Sequence, residues 1–336
     1  MSVKFGIVGF GLIGQKRAVI LQEFGKIQFV CDPNIDDIAP LAGDTVLETD
    51  WKRAINNYPV DAIFVSTYHC DLAKIVKYAA GKHISVLVEK PGAIHADDLR
   101  SLLEYERVAT IRVGYNHRFH PSLLKLREIV NSKESGELLY LRACYGHGAR
   151  LNYDKEWRFQ KQLSGGGELL DQGAHLIDLL LWIFGPGFET QHAMLGNAFW
   201  MGEVEDNAQV SLVQKGTNAK AQLSVSWCEW KNIFRIEVML RDAKIQIDGL
   251  GGSYGLETIT VFQMKPEMGP PDVTTQTFPQ PDTSFRLETI AFLADAGLLS
   301  QDDVNVDLAT LHGLAASVGQ ATRTLEIIED IYRRYQ

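Results

Sequence analysis

The chain has 336 residues, 46% of them hydrophobic and 22% charged, with a formal net charge of −9 at pH 7. That length suits two domains with sizeable cores, and the composition is that of an ordinary soluble globular protein. The acidic balance, with no basic run, argues against nucleic acid or an anionic membrane as the main partner, and no apolar run reaches the ~18 residues of a membrane span.

Cys31, Cys70, Cys144 and Cys228 lie far apart and form no CxxC pair. Reduced thiols, and a strand that starts directly after Met1 where a signal peptide would stand, predict a cytoplasmic protein; no metal site is expected.

Val3 to Val8 (VKFGIV) is a short, mostly apolar run, as in a buried parallel strand. The turn Gly9-Phe10-Gly11-Leu12-Ile13-Gly14 follows, then a helical run, then a strand ending at Cys31 before Asp32-Pro33. In such a unit the first glycine makes the tight turn, the second admits a pyrophosphate and the third lets helix and strand pack closely. The helix N-terminus faces the phosphates. Asp32 would accept hydrogen bonds from the adenosine ribose and repel a 2′-phosphate, which predicts NAD in preference to NADP.

Helices at 51–55, 72–80 and 95–109 alternate with strands at 62–66, 84–89 and 111–115, which predicts a parallel sheet with helices on both faces. This Rossmann domain is expected to span residues 1–119. From residue 120 to 336 the texture is α+β. A helix (122–131) leads to strands at 138–145, 188–195, 208–213, 219–227, 234–240, 244–247, 259–262 and 274–278, and helices at 285–299 and 306–332 end the chain. Alternation such as Ala221-Gln222-Leu223-Ser224-Val225-Ser226-Trp227 predicts a large, mostly antiparallel open sheet. Its aromatics Trp200, Trp227, Trp230 and Phe234 suggest an apolar face that a homo-dimer or homo-tetramer would cover.

Ser164 to Gly185 (SGGGELLDQGAHLIDLLLWIFG) reads as one core helix. Asp171, His175 and Asp178 fall at helical spacings of four and three, which predicts an acid–histidine–acid stripe along one face. The preceding glycines would let a ligand approach closely. Asp178 fits either a supporting role beside His175 or a cap for another segment.

The turn at Gly9–Gly14, Asp32-Pro33, GKHISVLVEKP (Gly81 to Pro91), GYNHRFHP (Gly114 to Pro121) and SGGGELLDQGAHLIDLLLW (Ser164 to Trp182) together resemble the Gfo/Idh/MocA family of NAD(P)-dependent dehydrogenases. The resemblance runs over nearly the whole chain. It implies a lysine of EKP, here Lys90, and the acid and histidine of DxGxH, here Asp171 and His175, as catalytic and substrate-binding residues. It implies a cis Lys90–Pro91 bond. It also places Ser66, Thr67, Glu89, Lys90, Asn116, Arg118, Trp157 and Arg158 beside the cofactor, together with the residues of the glycine turn. Thr67-Tyr68-His69 stands where relatives usually carry Thr-Pro. The loop Gly146–Gln160 brings polar and aromatic groups, among them Tyr153, suited to a polyhydroxylated ring.

The implied reaction oxidises a secondary hydroxyl of a sugar, nucleotide sugar or cyclitol, or reduces the ketone, by hydride transfer to nicotinamide C4. At this level either His175 or Lys90 can be the proton acceptor. An NAD-dependent glycoside hydrolase of the same family and a non-catalytic NAD-binding sensor are the competing readings.

Overall fold

The computed structural model describes residues 2–38, 41 and 43–336. The chain forms two units, Met1–Asn116 with Phe285–Arg323, and His117–Ser284 with Thr324–Gln336. The first is discontinuous, taking back a stretch far down the chain that a boundary at residue 119 does not anticipate.

The first unit is built on a parallel sheet. Its strands are β1 (Val3–Val8), β2 (Gly25–Cys31), β3 (Val46–Glu48), β4 (Ala62–Val65), β5 (Ser85–Glu89) and β6 (Ile111–Gly114). They lie in the order β6-β5-β4-β1-β2-β3, and the two-residue strand Ala316–Ser317 adds antiparallel to β6. β1 sits centrally, and Phe5 and Ile7 are wholly buried, as a strand covered on both faces requires. Crossovers are made by α1 (Leu12–Leu21), α2 (Trp51–Asn57), α3 (His69–Ala80) and α4 (Ala96–Arg100). Asp50 starts α2 by accepting a 2.8 Å hydrogen bond from the Arg53 amide, satisfying an otherwise orphaned helix donor. Phe64 packs edge-on to Phe5 on one side and to Phe292 on the other, so the returning segment completes this core.

The second unit carries an eight-stranded sheet: β7 (Leu138–Gly146), β8 (Phe188–Gly196), β9 (Asn207–Gln214), β10 (Lys220–Ser226), β11 (Ile233–Leu240), β12 (Ala243–Asp248), β13 (Glu257–Gln263) and β14 (Asp272–Phe278). The order is β14-β13-β12-β11-β7-β10-β9-β8, with β7 and β10 parallel and the other neighbours antiparallel. One face is covered by α5 (Pro121–Ser132), lying on β12 and β13, and by the Leu169–Phe184 helix, lying on β7, β9 and β10.

The other face differs from expectation. It is polar, with Arg142 and Lys244 on Glu237 at 3.2 and 2.5 Å and Arg235 on Asp248 at 2.5 Å. Trp227 and Phe234 are buried inside this unit. Trp227 packs with Tyr153, Phe159 and Val204 in a separate aromatic core, and Trp200 borders it. Trp230 alone of the four aromatics is well exposed, at 69%.

Two helices are shorter than their sequence periodicity suggests. The run from His95 breaks after Arg100, and the final helix begins at Val318. The segment before Val318 turns through Gly313 at φ +72° and then enters the first sheet. No helix among the described residues is long and apolar enough to cross a membrane.

Candidate active site

The glycine turn and Asp32 belong to the first unit. Gly9 stands at φ +90°, and a Cβ there would overlap the Ser66 carbonyl. A Cβ at Gly14 would overlap the Gly9 carbonyl, so both glycines are required by the turn itself. Gly11 differs, because a Cβ there meets no protein atom within 4 Å. It leaves bare backbone at the N-terminus of α1, the arrangement that receives a pyrophosphate. Asp32 is held in place, with Oδ2 accepting from the Phe10 amide at 2.8 Å and Oδ1 from the Asn34 amide at 2.9 Å. These features fit NAD. Phe10 turns into the core, Leu12 is exposed and Ile13 is half-buried.

Two residues expected at the cofactor have protein partners. Ser66 Oγ donates to the Gly9 carbonyl at 2.9 Å and so braces the turn. The Glu89 carboxylate accepts from Arg17 Nε and Nη2 at 2.9 and 2.8 Å. Arg17 is fully buried and also binds Glu288. Burial lowers the Arg17 pKa, but Glu89 and Glu288 outweigh it and hold the guanidinium above its usual value. Glu89 therefore anchors the end of β5 to α1 and to the returning segment, leaving Lys90 to follow it, half-buried, before a cis Lys90–Pro91 bond. Thr67 Oγ1 donates to the Tyr68 carbonyl at 3.3 Å, and Asn116 is buried.

The second unit holds Asp171 and His175. Their segment is not one regular α-helix: Leu169–Gly173 forms a wider π-turn that runs into the α-helix Ala174–Phe184. The predicted single stripe accordingly divides. Asp171 Oδ2 lies 3.4 Å from Arg158 Nε, His175 stacks on His117 with centroids 3.8 Å apart, and Asp178 forms a two-point pair with Arg118 at 2.5 and 2.8 Å. Arg118, expected at the nicotinamide, is 1% exposed and pairs with Asp178. Burial pushes the Asp178 carboxyl up, and the Arg118 charge pulls it only part of the way back.

The glycines before the π-turn also have an internal cause. A Cβ at Gly166 would overlap the Tyr332 phenol, and one at Gly167 the Glu205 backbone. The buried Glu205 carboxylate accepts from Tyr332 Oη at 2.7 Å and from the Leu169 amide at 3.1 Å. These contacts demand glycine and fix the start of the turn.

Arg158 lies over the Trp157 ring at 4.8 Å and binds Glu156 at 3.2 Å, while Arg150 binds the same Glu156 at 2.7 Å. Burial lowers the Arg158 pKa, but Asp171, Tyr153 and Glu156 raise it further, so the net shift is upward. Tyr153, expected to face substrate, is 3% exposed, with its ring in the aromatic core. Burial, and then the Asp171 charge, raise its phenol pKa. It forms the floor beneath Arg158.

Four residues of this group were not singled out from the sequence: Glu168, Gln172, His117 and Tyr145. Glu168 is wholly buried, and its charge contributes to the raised phenol pKa values of Tyr145 and Tyr153. His117 Nε2 lies 3.1 Å from Tyr145 Oη. The motif GYNHRFHP contained His117; its partner on β7 had no local signal.

A parallel sheet carrying a dinucleotide turn, followed by an open sheet bearing a DxGxH turn, defines a nicotinamide-dependent oxidoreductase architecture. Residues 3–117 match the oxidoreductase-family model of the NAD-binding Rossmann fold, and residues 123–252 match the GFO/IDH/MocA C-terminal domain. The chain belongs to the Gfo/Idh/MocA oxidoreductase family, and its first unit is an NAD-binding Rossmann fold. It is 28% identical to levoglucosan dehydrogenase of Pseudarthrobacter phenanthrenivorans over 46% of this chain and 40% of that protein. It is 26% identical to glucose-6-phosphate 3-dehydrogenase of Bacillus subtilis, over 56% of this chain and 55% of that protein. The chain thus spans about half the length of the curated relatives it matches. Among solved structures, levoglucosan dehydrogenase in complex with NADH superposes with a TM-score of 0.81 at 17% identity, over 100% of this chain and 98% of that one. At that identity the likeness speaks for the fold.

Asp32 sets a testable preference. Asp32→Gly is expected to narrow the ratio of NADPH to NADH dissociation constants at least ~10-fold, because the carboxylate that repels a 2′-phosphate is gone. Fluorescence titration of both reduced cofactors measures this, and an unchanged ratio rules out the assignment.

Proposed function

We propose that this chain is an NAD-dependent dehydrogenase that oxidises a secondary hydroxyl of a sugar, nucleotide sugar or cyclitol, or reduces the corresponding ketone. The observation that supports this most is Asp171 on the π-turn, with Arg158 against it and His175 just past it, in a chain that also carries the dinucleotide turn. Bound NAD supplies the hydride acceptor.

His175 takes the hydroxyl proton, since an imidazole exchanges protons near neutral pH. His117 holds the ring flat by stacking. Lys90 stabilises the alkoxide charge as it develops. Asp171 orients Arg158 and accepts from a substrate hydroxyl. Arg118 and Asp178 act by locking the helix that carries His175, and Trp157 with Arg158 covers the ligand. Assembly into a dimer or tetramer through the second sheet is part of this reading, by way of its ion-paired polar face.

The test is spectrophotometric. The full chain with NAD is offered a panel of sugars, inositols and nucleotide sugars, and the NADH band is followed. NADH formation from at least one of them is the expected result. Release of a glycan without net NADH, or failure to bind NAD, overturns the reading.

A further inference from the structure

The loop between β12 and β13, reading Gly249-Leu250-Gly251-Gly252-Ser253-Tyr254-Gly255, has no part in the function described so far. Gly249, Gly251, Gly252 and Gly255 all have positive φ, and a Cβ at Gly249 would overlap the Leu256 carbonyl. The loop closes on itself, with the Tyr254 amide donating to the Leu250 carbonyl at 3.2 Å and the Gly255 amide to that of Gly252 at 3.1 Å. It holds the one aromatic side chain it carries, Tyr254, in a set direction.

That direction is toward the π-turn. Gln172 Nε2 donates to Tyr254 Oη at 3.1 Å, and Gln172 is the residue after Asp171. The Tyr145 ring meets the Tyr254 ring edge-on at 5.1 Å. Tyr145 Oη in turn contacts His117, and His117 stacks on His175. Of this connected set, Gln172, Tyr145, His117 and His175 are buried, whereas Tyr254 is half-exposed. Gln172 Oε1 is buried and has no protein hydrogen-bond partner. The phenol oxygen, half-exposed and held by the Gln172 amide, is thus free to donate its own proton to a hydroxyl group. Burial, and behind it the charges of Glu168 and Asp171, raise the pKa of this phenol.

We propose that Tyr254 is a substrate-contacting residue, and that the glycine loop is a specificity element selecting an uncharged, hydroxyl-rich ligand. This rests on the dehydrogenase reading above. Burial of a phosphate or carboxylate near Glu168 and Asp171 is disfavoured, whereas a ring hydroxyl can accept a hydrogen bond from the half-exposed phenol.

The test uses Tyr254→Phe, which removes one oxygen and keeps the ring packing. The full chain, saturated with NADH, is titrated with glucose, myo-inositol and glucose 6-phosphate by saturation-transfer NMR. Steady-state kinetics with NAD follow for whichever probe turns over. Loss of one neutral hydrogen bond is expected to weaken neutral-probe binding about 3–10-fold and raise KM alike, with kcat within about twofold and NADH affinity unchanged. Unchanged probe affinity, or a fall in kcat at constant KM, overturns the contact. Tighter binding of glucose 6-phosphate than of glucose by the wild type overturns the uncharged class. No probe binding by NADH-loaded wild type removes the polyol assignment of Tyr254. Failure of NADH itself to bind strikes instead at the dehydrogenase reading.

Discussion

His175→Ala is expected to lower turnover about 10²–10⁴-fold while NADH binds as tightly as in the wild type. The side chain sits two residues past the π-turn, buried, with the His117 imidazole stacked 3.8 Å away at 18°. Removing it deletes the proton acceptor and leaves the dinucleotide turn of the first unit untouched. His175→Phe separates chemistry from packing, because a phenyl ring keeps a stacking partner for His117 and cannot take a proton. Both variants should lose turnover to a similar extent. Rapid-quench single turnovers and NADH fluorescence titrations measure the two quantities, and substantial turnover by His175→Phe excludes the proton-transfer role.

The second large effect concerns stability. Arg118→Met removes the partner of Asp178, whose side chain is 2% exposed. Breaking a buried ion pair from one side costs about 3–5 kcal/mol, because the remaining charge has neither water nor a counter-ion. The loss should depend on pH in a definite direction. Burial already holds the Asp178 carboxyl above its ordinary value, and without Arg118 nothing opposes that rise. A carboxyl whose folded pKa is raised favours the folded state below the unfolded value, and that advantage is lost as pH rises through the folded value. The variant should therefore be markedly less stable than wild type at pH 8 and closer to it at pH 5. Urea titrations at the two pH values measure this; equal losses at both would show that the charge of Asp178 is not what the variant exposes. Arg118→Met with Asp178→Leu should recover most of the loss, since an apolar pair of similar volume leaves no charge behind.

The parts of the molecule most legible in the sequence were those ruled by local pattern. Strand, GxGxxG and Asp32 describe a unit whose backbone chemistry is set within thirty residues, and β1 lies where its apolar run predicts. The second sheet was legible as alternation, but alternation does not say which face another element covers. Trp227 and Phe234 were accordingly expected outside and lie inside, against Tyr153 and Tyr145 respectively. The π-turn was hidden because Asp171 and His175 have the spacing of an ordinary helix. The contacts just before that turn are tertiary: Gly166 and Gly167 are pinned by Tyr332 and Glu205, residues outside any local window. Arg118 and Glu89 were assigned to the cofactor by their motifs. Their protein partners, Asp178 and Arg17, come from distant segments that no local window connects. Tyr254 is the counterexample: a seven-residue stretch with four glycines was a visible signal of an obligatory loop conformation.

The return of Phe285–Arg323 to the first unit has a consequence for how the protein is made. The dinucleotide-binding sheet is translated first, yet Phe292 and Leu293, which pack into its core, are translated only after residues 117–284. At roughly 5–20 residues per second, the ribosome takes on the order of 10–30 s to cover that interval. Throughout it, the nascent first unit carries Phe5, Phe64 and Leu87 with their Phe292 and Leu293 neighbours still missing. During synthesis the earlier half of the chain thus waits for a segment made long after it, and a fragment ending near residue 119 would be a poor stand-in for the NAD-binding unit.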